Sequence, residues 1–107
     1  MKKIFVYGIL QKDISAKNFG LTDEQYLGRA TLYVYGRTSL TQINKSKRED
    51  DYVCGDIFEV SDELEESLYQ FENKYGYERE VTKPQKISDG EHVECISYII
   101  KIGEQLW

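Results

Sequence analysis

Proline, tryptophan, methionine and histidine each occur only once in this 107-residue sequence. The single histidine, His92, adjoins a predicted turn, so a Ser-His-Asp or Cys-His catalytic arrangement would depend on it alone. The two cysteines, Cys54 and Cys95, lack metal-ligand spacing, and we expect both to be reduced thiols in the core. No apolar run approaches the roughly 20 residues of a membrane span, and the N-terminus predicts no signal peptide. The sequence therefore predicts a cytoplasmic protein.

Basic residues are also few relative to acidic ones. Nineteen acidic and 14 basic side chains give a net charge of −5. This balance argues against nonspecific binding to nucleic acid or to an anionic membrane, because both require a basic face. It remains compatible with a small-molecule ligand, even an anionic one, in a local pocket. The length fits one domain over residues 1–107.

Five segments carry the β-branched and aromatic residues that are typical of strands. They predict strands over residues 3–7, 26–35, 52–60, 77–87 and 93–102. Between the last two, the Asp89-Gly90 pair predicts a hairpin turn. Polar residues dominate the other two segments, 10–23, which we expect to be irregular, and 41–51, which we interpret as a mobile loop.

One segment, over residues 62–74, has the period of a helix. Its apolar residues at one-face spacing are Leu64, Leu68, Phe71 and Tyr75. Ser61 or Asp62 can cap this helix, Asp62 and Glu65 fit a capping box, and Gly76 follows its end. Several strands with one helix predict an α+β fold, built on a small mixed curved sheet or a β-barrel.

The end of the first strand is the first candidate site. Gly8 follows Tyr7, so backbone N–H groups of the residues that follow the strand can bind a carboxylate or an oxyanion that approaches closely. The alternative is a strand end followed by an ordinary turn.

Glu72 is the second candidate, because it follows Phe71 at the border of the apolar helix face. Partial desolvation of a carboxylate raises its pKa and makes it a usable base near neutral pH. The alternative is a solvated helical glutamate.

Tyr77 and Arg79 are the third candidate, because alternate residues of a strand share one face while Glu78 takes the other. An arginine beside a tyrosine can anchor a carboxylate or a phosphate. Alternatively, Arg79 forms an ion pair with an acidic neighbour such as Glu59 or Glu80.

Taken in order, four motifs resemble the γ-glutamylcyclotransferase-like family, which includes the AIG2-like and γ-glutamylamine cyclotransferase proteins. They are Tyr-Gly-x-Leu at residues 7–10, Val-x-Gly-x-hydrophobic-aromatic-x-Val at 53–60, Leu-x-x-x-Glu at 68–72, and Tyr-x-Arg at 77–79. The resemblance implies a small barrel with flanking helices and an enzyme that cyclises a γ-glutamyl amine or peptide to 5-oxoproline. It implies Glu72 as the general base and needs no metal, thiol or cofactor. The substrate-binding residues that it implies are Tyr7, Gly8, Ile9, Leu10, Tyr77 and Arg79.

The sequence departs from the family pattern at three places. Ile9 stands where the family usually has Ser or Thr, Tyr69 stands where it usually has Asp, and a charged segment replaces a Tyr-Pro stretch. Two function classes therefore stay open. One is a cyclotransferase that uses Glu72, with Glu78 as the next choice of base. The other is a non-catalytic protein that binds or sequesters a metabolite or nucleotide on the same fold. A protein that inhibits a partner through its acidic face is a third, weaker reading.

Overall fold

The computed structural model describes residues 1–8, 16–33, 35–39, 42–45 and 52–100. Within them, one α-helix, α1, spans Asp62–Asn73. The strands are β1 (Lys2–Val6), β2 (Tyr26–Tyr33), β3 (Tyr35–Ser39), β4 (Gln42–Lys45), β5 (Tyr52–Val60), β6 (Tyr77–Thr82), β7 (Gln85–Lys86) and β8 (Cys95–Ile100). Two short 3-10 helices, Ala16–Phe19 and Asp23–Gln25, precede β2, and the first of them lies within the segment 10–23 that we expect to be irregular.

Six strands form one curved sheet in the order β6-β8-β1-β5-β2-β7, and β3 pairs with β4 in a separate hairpin. Within the six-stranded sheet, β1 is parallel to β8, and the other pairs are antiparallel. The predicted α+β fold with a mixed curved sheet is confirmed. The predicted barrel is wrong, because the sheet is open and its two edge strands, β6 and β7, do not pair with each other.

The central strand β1 is buried on both faces, which explains its uninterrupted apolar run. Ile4 and Val6 belong to the core cluster that includes Leu68 of α1. Phe5 and Tyr7 belong to the cluster on the opposite face of the sheet. Side chains alternate between faces along a strand, so both faces of the sheet are covered at β1.

Helix α1 begins and ends close to the prediction. The Ser61 hydroxyl caps it by accepting a hydrogen bond from the Leu64 amide at 3.1 Å. The helix ends at Asn73, one residue earlier than predicted, and Gly76 follows with φ +89°. The Glu65 side chain does not cap the helix, because its carboxylate is bound to residues of the sheet.

The two predicted C-terminal strands form one interrupted hairpin. In β6 and β8, Thr82 pairs with Cys95, and Gln85 continues the same register by bridging to His92. Pro84 lacks an N–H and lies between the two pairings. Here β7 leaves β8 and pairs with β2, so the strand predicted over 77–87 is two strands. The predicted turn is present, with Gly90 at φ +74° and its amide donating to the Lys86 carbonyl at 2.9 Å.

The expectation of a loop over 41–51 is wrong where the structure describes that segment. Residues Gln42–Lys45 form β4, which pairs with β3 in a hairpin outside the main sheet. The remaining residues of that segment, 41 and 46–51, lie outside the described residues. The strand predicted over 26–35 is likewise divided, since β2 ends at Tyr33 and Tyr35 begins β3.

Both cysteines are free thiols, Cys95 buried and Cys54 half-buried. Burial raises the pKa of the Cys95 thiol to about 12. In the part of the chain that the structure describes, no helix has the length and apolar character needed to span a membrane.

Candidate functional site

Two chain segments that carry predicted site residues lie at one end of the sheet, on either side of β8. Strands β1 and β8 are parallel, with Ile4 paired to Ile96, so their C-terminal ends lie side by side. Strand β6 is antiparallel to β8 and starts there, with Tyr77 opposite Ile100. Tyr7 and Gly8, which follow β1, therefore lie at the same end as Tyr77. The predicted site residues Ile9 and Leu10 lie outside the described residues.

Tyr7 is buried, and its hydroxyl donates a hydrogen bond to the main-chain carbonyl of Tyr98. This bond holds Tyr7, the residue between β1 and Gly8, against β8. The position of the Gly8 backbone is thus fixed relative to β8. Gly8 itself is half-buried.

Glu72 lies in the last turn of α1, half-buried, and burial raises the pKa of its carboxyl group. The hydroxyl of Tyr98 has a raised pKa as well, because of burial and of the negative charges of Glu65 and, to a lesser extent, Glu72. The carbonyl of Tyr98 thus accepts from Tyr7, and its hydroxyl is bonded to Glu65. Glu72 is not the solvated glutamate of the alternative reading.

A short turn connects Glu72 to Tyr77. The Tyr75 amide donates to the Glu72 carbonyl at 3.0 Å, and the Gly76 amide donates to the Asn73 carbonyl at 3.1 Å. The Asn73 side chain donates to the Tyr77 carbonyl at 3.0 Å. These bonds fix the spacing between the end of α1 and the start of β6, where Tyr77 is buried.

Arg79 contacts the helix. Its guanidinium donates to both oxygens of Glu65, at 3.0 and 2.9 Å, and to Glu66 at 3.2 Å. The guanidinium carbon also lies 3.8 Å from the ring centroid of Tyr69, a cation–π contact. Tyr69 is one of the positions that depart from the family pattern, and its ring provides the surface on which Arg79 stacks.

The expected acidic partners of Arg79 were Glu59 and Glu80, and the structure assigns them other contacts. Glu59 forms an ion pair with Lys3 at 3.8 Å, and Glu80 accepts from the Tyr35 hydroxyl at 2.7 Å. Glu78 is exposed, on the opposite face of β6 from Arg79, as the alternation of the strand predicts.

Glu65 is the residue that the sequence analysis missed. Its side chain is 0% exposed, and it accepts from Arg79, from the Tyr98 hydroxyl at 2.9 Å and from Lys2 at 3.4 Å. Burial alone would raise the pKa of its carboxyl group, but the bonds from Arg79 and Tyr98 outweigh burial and lower it. The sequence feature that could have identified Glu65 is its position seven residues before Glu72, which puts both glutamates on one helix face.

The other candidates for chemistry lie away from this end. His92 is exposed beside the hairpin turn, with Nδ1 3.3 Å from the Lys83 carbonyl. Among the described residues, no group of three or more His, Cys, Asp or Glu side chains could hold a metal ion.

Comparison with known proteins gives a family. The family model described as "Gamma-glutamyl cyclotransferase, AIG2-like" matches residues 4–106. No curated protein matches the chain. An AIG2-like protein from Mus musculus is 22% identical with a TM-score of 0.75, and the match covers 100% of this chain and 83% of that one.

Two further solved structures have the same fold. A γ-glutamyl cyclotransferase is 21% identical with a TM-score of 0.70, and the match covers 94% of this chain and 66% of that one. A protein from Arabidopsis thaliana is 27% identical with a TM-score of 0.72, covering 96% of this chain and 70% of that one.

Proposed function

We propose that this chain, which belongs to the AIG2-like γ-glutamyl cyclotransferase family, converts a γ-glutamyl amine or peptide to 5-oxoproline and a free amine. The observation that supports the proposal is Glu72, a half-buried glutamate with a raised pKa in the last turn of α1, five residues before Tyr77. A carboxylate in this state suits proton transfer, because a catalytic base works best when its pKa approaches the operating pH.

The reaction needs one group that takes up a proton and later returns it. The α-ammonium group of the substrate cannot attack a carbonyl, so the Glu72 carboxylate first accepts one of its protons. The freed amine then attacks the γ-carbonyl carbon, which closes a five-membered ring and leaves a tetrahedral oxyanion. Glu72 then returns its proton to the leaving nitrogen, and the bond between that nitrogen and the former γ-carbonyl carbon breaks as the oxyanion re-forms the carbonyl. The ring nitrogen gives its second proton to the departing amine, so that the products are 5-oxoproline, an ammonium ion and the Glu72 carboxylate. A raised pKa favours both proton transfers, because it keeps the two protonation states close in free energy.

The remaining predicted site residues serve binding in this proposal. Backbone N–H groups at Gly8, Ile9 and Leu10 hold the substrate and the developing oxyanion, for which preorganised donors are the usual stabilising device. Tyr77 forms a wall of the site next to Glu72. Arg79 is the exception: the sequence predicts it as the anchor of a substrate carboxylate, but its guanidinium is bonded to Glu65, and this proposal does not assign it to substrate binding.

The decisive experiment is 5-oxoproline release from a panel of γ-glutamyl amides and dipeptides, with wild-type protein and two matched variants. Glu72→Gln keeps the shape of the side chain and removes its basicity, and it should lower kcat about a hundredfold to ten-thousandfold. Binding of 5-oxoproline by this variant should remain close to wild type. Glu78→Gln makes the same chemical change at an exposed residue of β6 and should leave the rate unchanged.

Two results would contradict the proposal. If release survives Glu72→Gln and is lost in Glu78→Gln, the base has been assigned to the wrong glutamate. If the wild-type protein releases no 5-oxoproline across the panel and binds a metabolite or nucleotide in a thermal-shift screen, the protein is a binding or sequestering member of the fold. The loss of a hydroxyl at Ile9 is the sequence feature that favours this second function.

A further inference from the structure

Glu65 and Arg79 form a charged pair that is joined by two hydrogen bonds. Both guanidinium bonds to Glu65 are 3.0 Å or shorter, and the Glu65 side chain is wholly buried. A two-pronged contact between a guanidinium and a carboxylate fixes both the distance and the relative angle of the two groups. The ring of Tyr69 contacts the guanidinium as well, so Arg79 has little freedom to turn toward another ligand.

This pair joins two elements that are consecutive in the chain. Glu65 lies in the first turn of α1, and Arg79 is the third residue of β6, 14 positions later. The segment that the pair closes contains Glu72, the turn over residues 74–76, and Tyr77. Any sliding of α1 against β6 would separate the charges and leave a buried carboxylate without its main partner, which is strongly unfavourable.

The pair also constrains the position of Glu72, because both glutamates belong to α1. Glu65 and Glu72 are seven residues apart, so they lie on one face of α1 about 10 Å apart along its axis. Tyr98 contacts this face from β8 with its hydroxyl on Glu65. The pair thus holds α1 against β6 at Glu65, and Glu72 lies two turns further along the same face of the helix.

We infer that Glu65 and Arg79 form a clamp that positions Glu72 for the reaction, so that Arg79 acts through Glu65 and does not contact the substrate. This inference rests on the proposed function for its kinetic part only. Tyr69, which stands where the family usually has Asp, contacts the guanidinium of this pair with its ring. Glu65 and Arg79 are positioning residues in this account.

Kinetics separate positioning from substrate binding. Two variants are compared with wild type, Arg79→Gln and the double variant Glu65→Gln/Arg79→Gln, which keeps the net charge and leaves no unpaired buried carboxylate if the single variant fails to fold. We expect kcat to fall about tenfold to a hundredfold in both, as small misplacements of catalytic groups do. We expect KM to stay within about threefold of wild type, because no substrate contact is removed.

Substrate analogues sharpen this comparison. A γ-glutamyl substrate is measured beside its α-carboxamide analogue, which lacks the carboxylate that an arginine would bind. If Arg79 bound the substrate, Arg79→Gln would raise KM for the carboxylate substrate about tenfold or more and leave the carboxamide unaffected. That result would overturn the clamp.

Hydrogen exchange tests the clamp without any activity. The amides of Tyr75 and Gly76 report on the turn beside Glu72, and the amides of Leu32 and Val53, paired between β2 and β5, report on the sheet. In the double variant, exchange at Tyr75 and Gly76 should become about tenfold faster relative to Leu32 and Val53, because local opening no longer has to break the clamp.

The chain provides a matched control pair. Asp56 is 2% exposed and pairs with Arg29 at 3.4 Å, but this pair joins β5 to β2. Arg29→Gln/Asp56→Asn removes the same chemistry and should leave the exchange ratio at the turn unchanged. An unchanged ratio in the clamp variant, or an equal rise in the control, would overturn the inference. If the wild-type protein releases no 5-oxoproline, the proposed function fails while the exchange ratio still decides on the clamp.

Discussion

The close approach of β1 to β5 at Gly55 allows the cost of adding one methyl group there to be predicted. Gly55 of β5 faces β1, and a Cβ atom built there would lie 2.3 Å from the Val6 carbonyl oxygen. It would also lie 2.8 and 2.9 Å from two ring carbons of Phe5. Contacts below 3.0 Å are essentially absent for real Cβ atoms, so Gly55→Ala forces β1 and β5 apart.

The loss of stability in Gly55→Ala depends on which atoms must move to relieve these contacts. The Phe5 ring can shift within the core, but the Val6 oxygen can move only if the backbone of β1 moves with it. Overpacking in a core costs about 1–3 kcal/mol, and a clash with backbone belongs at the upper end, about 3 kcal/mol. For a domain of this size, such a loss lowers Tm by roughly 12–24 °C. The shift of β1 would also displace Tyr7 and Gly8, so the folded fraction should lose activity.

Urea unfolding of three variants measures this cost. Gly90→Ala is the control, because its Cβ would meet only Gln85 at 3.7 Å and the strain comes from φ +74° alone, about 1 kcal/mol. The double variant Gly55→Ala/Phe5→Leu removes the ring contacts and should recover little, since the carbonyl contact remains. A cost for Gly55→Ala no larger than for Gly90→Ala, or full recovery in the double variant, would refute the reasoning.

Two further predictions concern the helix. Ser61→Ala removes the cap on the Leu64 amide and should cost about 1 kcal/mol in urea unfolding, and a cost below about 0.3 kcal/mol would contradict the capping role. The pH profile of kcat/KM should fall on the acid side at the raised pKa of Glu72, above 4.5, because the base must be ionised. Glu65 has a lowered pKa, so its contribution to stability is present above 4.5 and is lost only as the pH falls through that lower value. Urea unfolding across the same pH range tests whether kcat/KM falls at a higher pH than the stability does. A loss of stability at the same pH as the loss of kcat/KM would contradict the prediction.

The elements that local chemistry determines could be predicted from the sequence. The helix follows from its apolar period with Ser61 and Gly76 at its ends, and strand β5 from its run of nine residues between polar neighbours. The order of four short motifs also predicted the family, which the family model confirms over residues 4–106. Each of these features depends on residues close together in the chain.

The elements that depend on distant pairing could not be predicted. Residues Gln42–Lys45 look like a polar loop because β4 pairs through its backbone with β3 outside the main sheet, and backbone pairing needs no apolar pattern. The strand predicted over 77–87 is divided because β2 offers a second edge to β7, after Pro84. The sequence cannot show which neighbouring edge is available.

The same limit on prediction applies to the two glutamates that share one face of α1. Glu65 and Glu72 are the same residue type, seven positions apart on one helix face, yet one carboxyl group has a lowered pKa and the other a raised one. Strand β6 supplies Arg79 at the level of Glu65, which keeps that carboxylate ionised and unsuited to exchange protons near neutral pH. The described part of the chain offers the Glu72 carboxylate no ion pair, so burial acts on it unopposed. The proposed choice of Glu72 over Glu65 for proton transfer therefore depends on where β6 places its arginine, a property of the β6 register that no helical pattern contains.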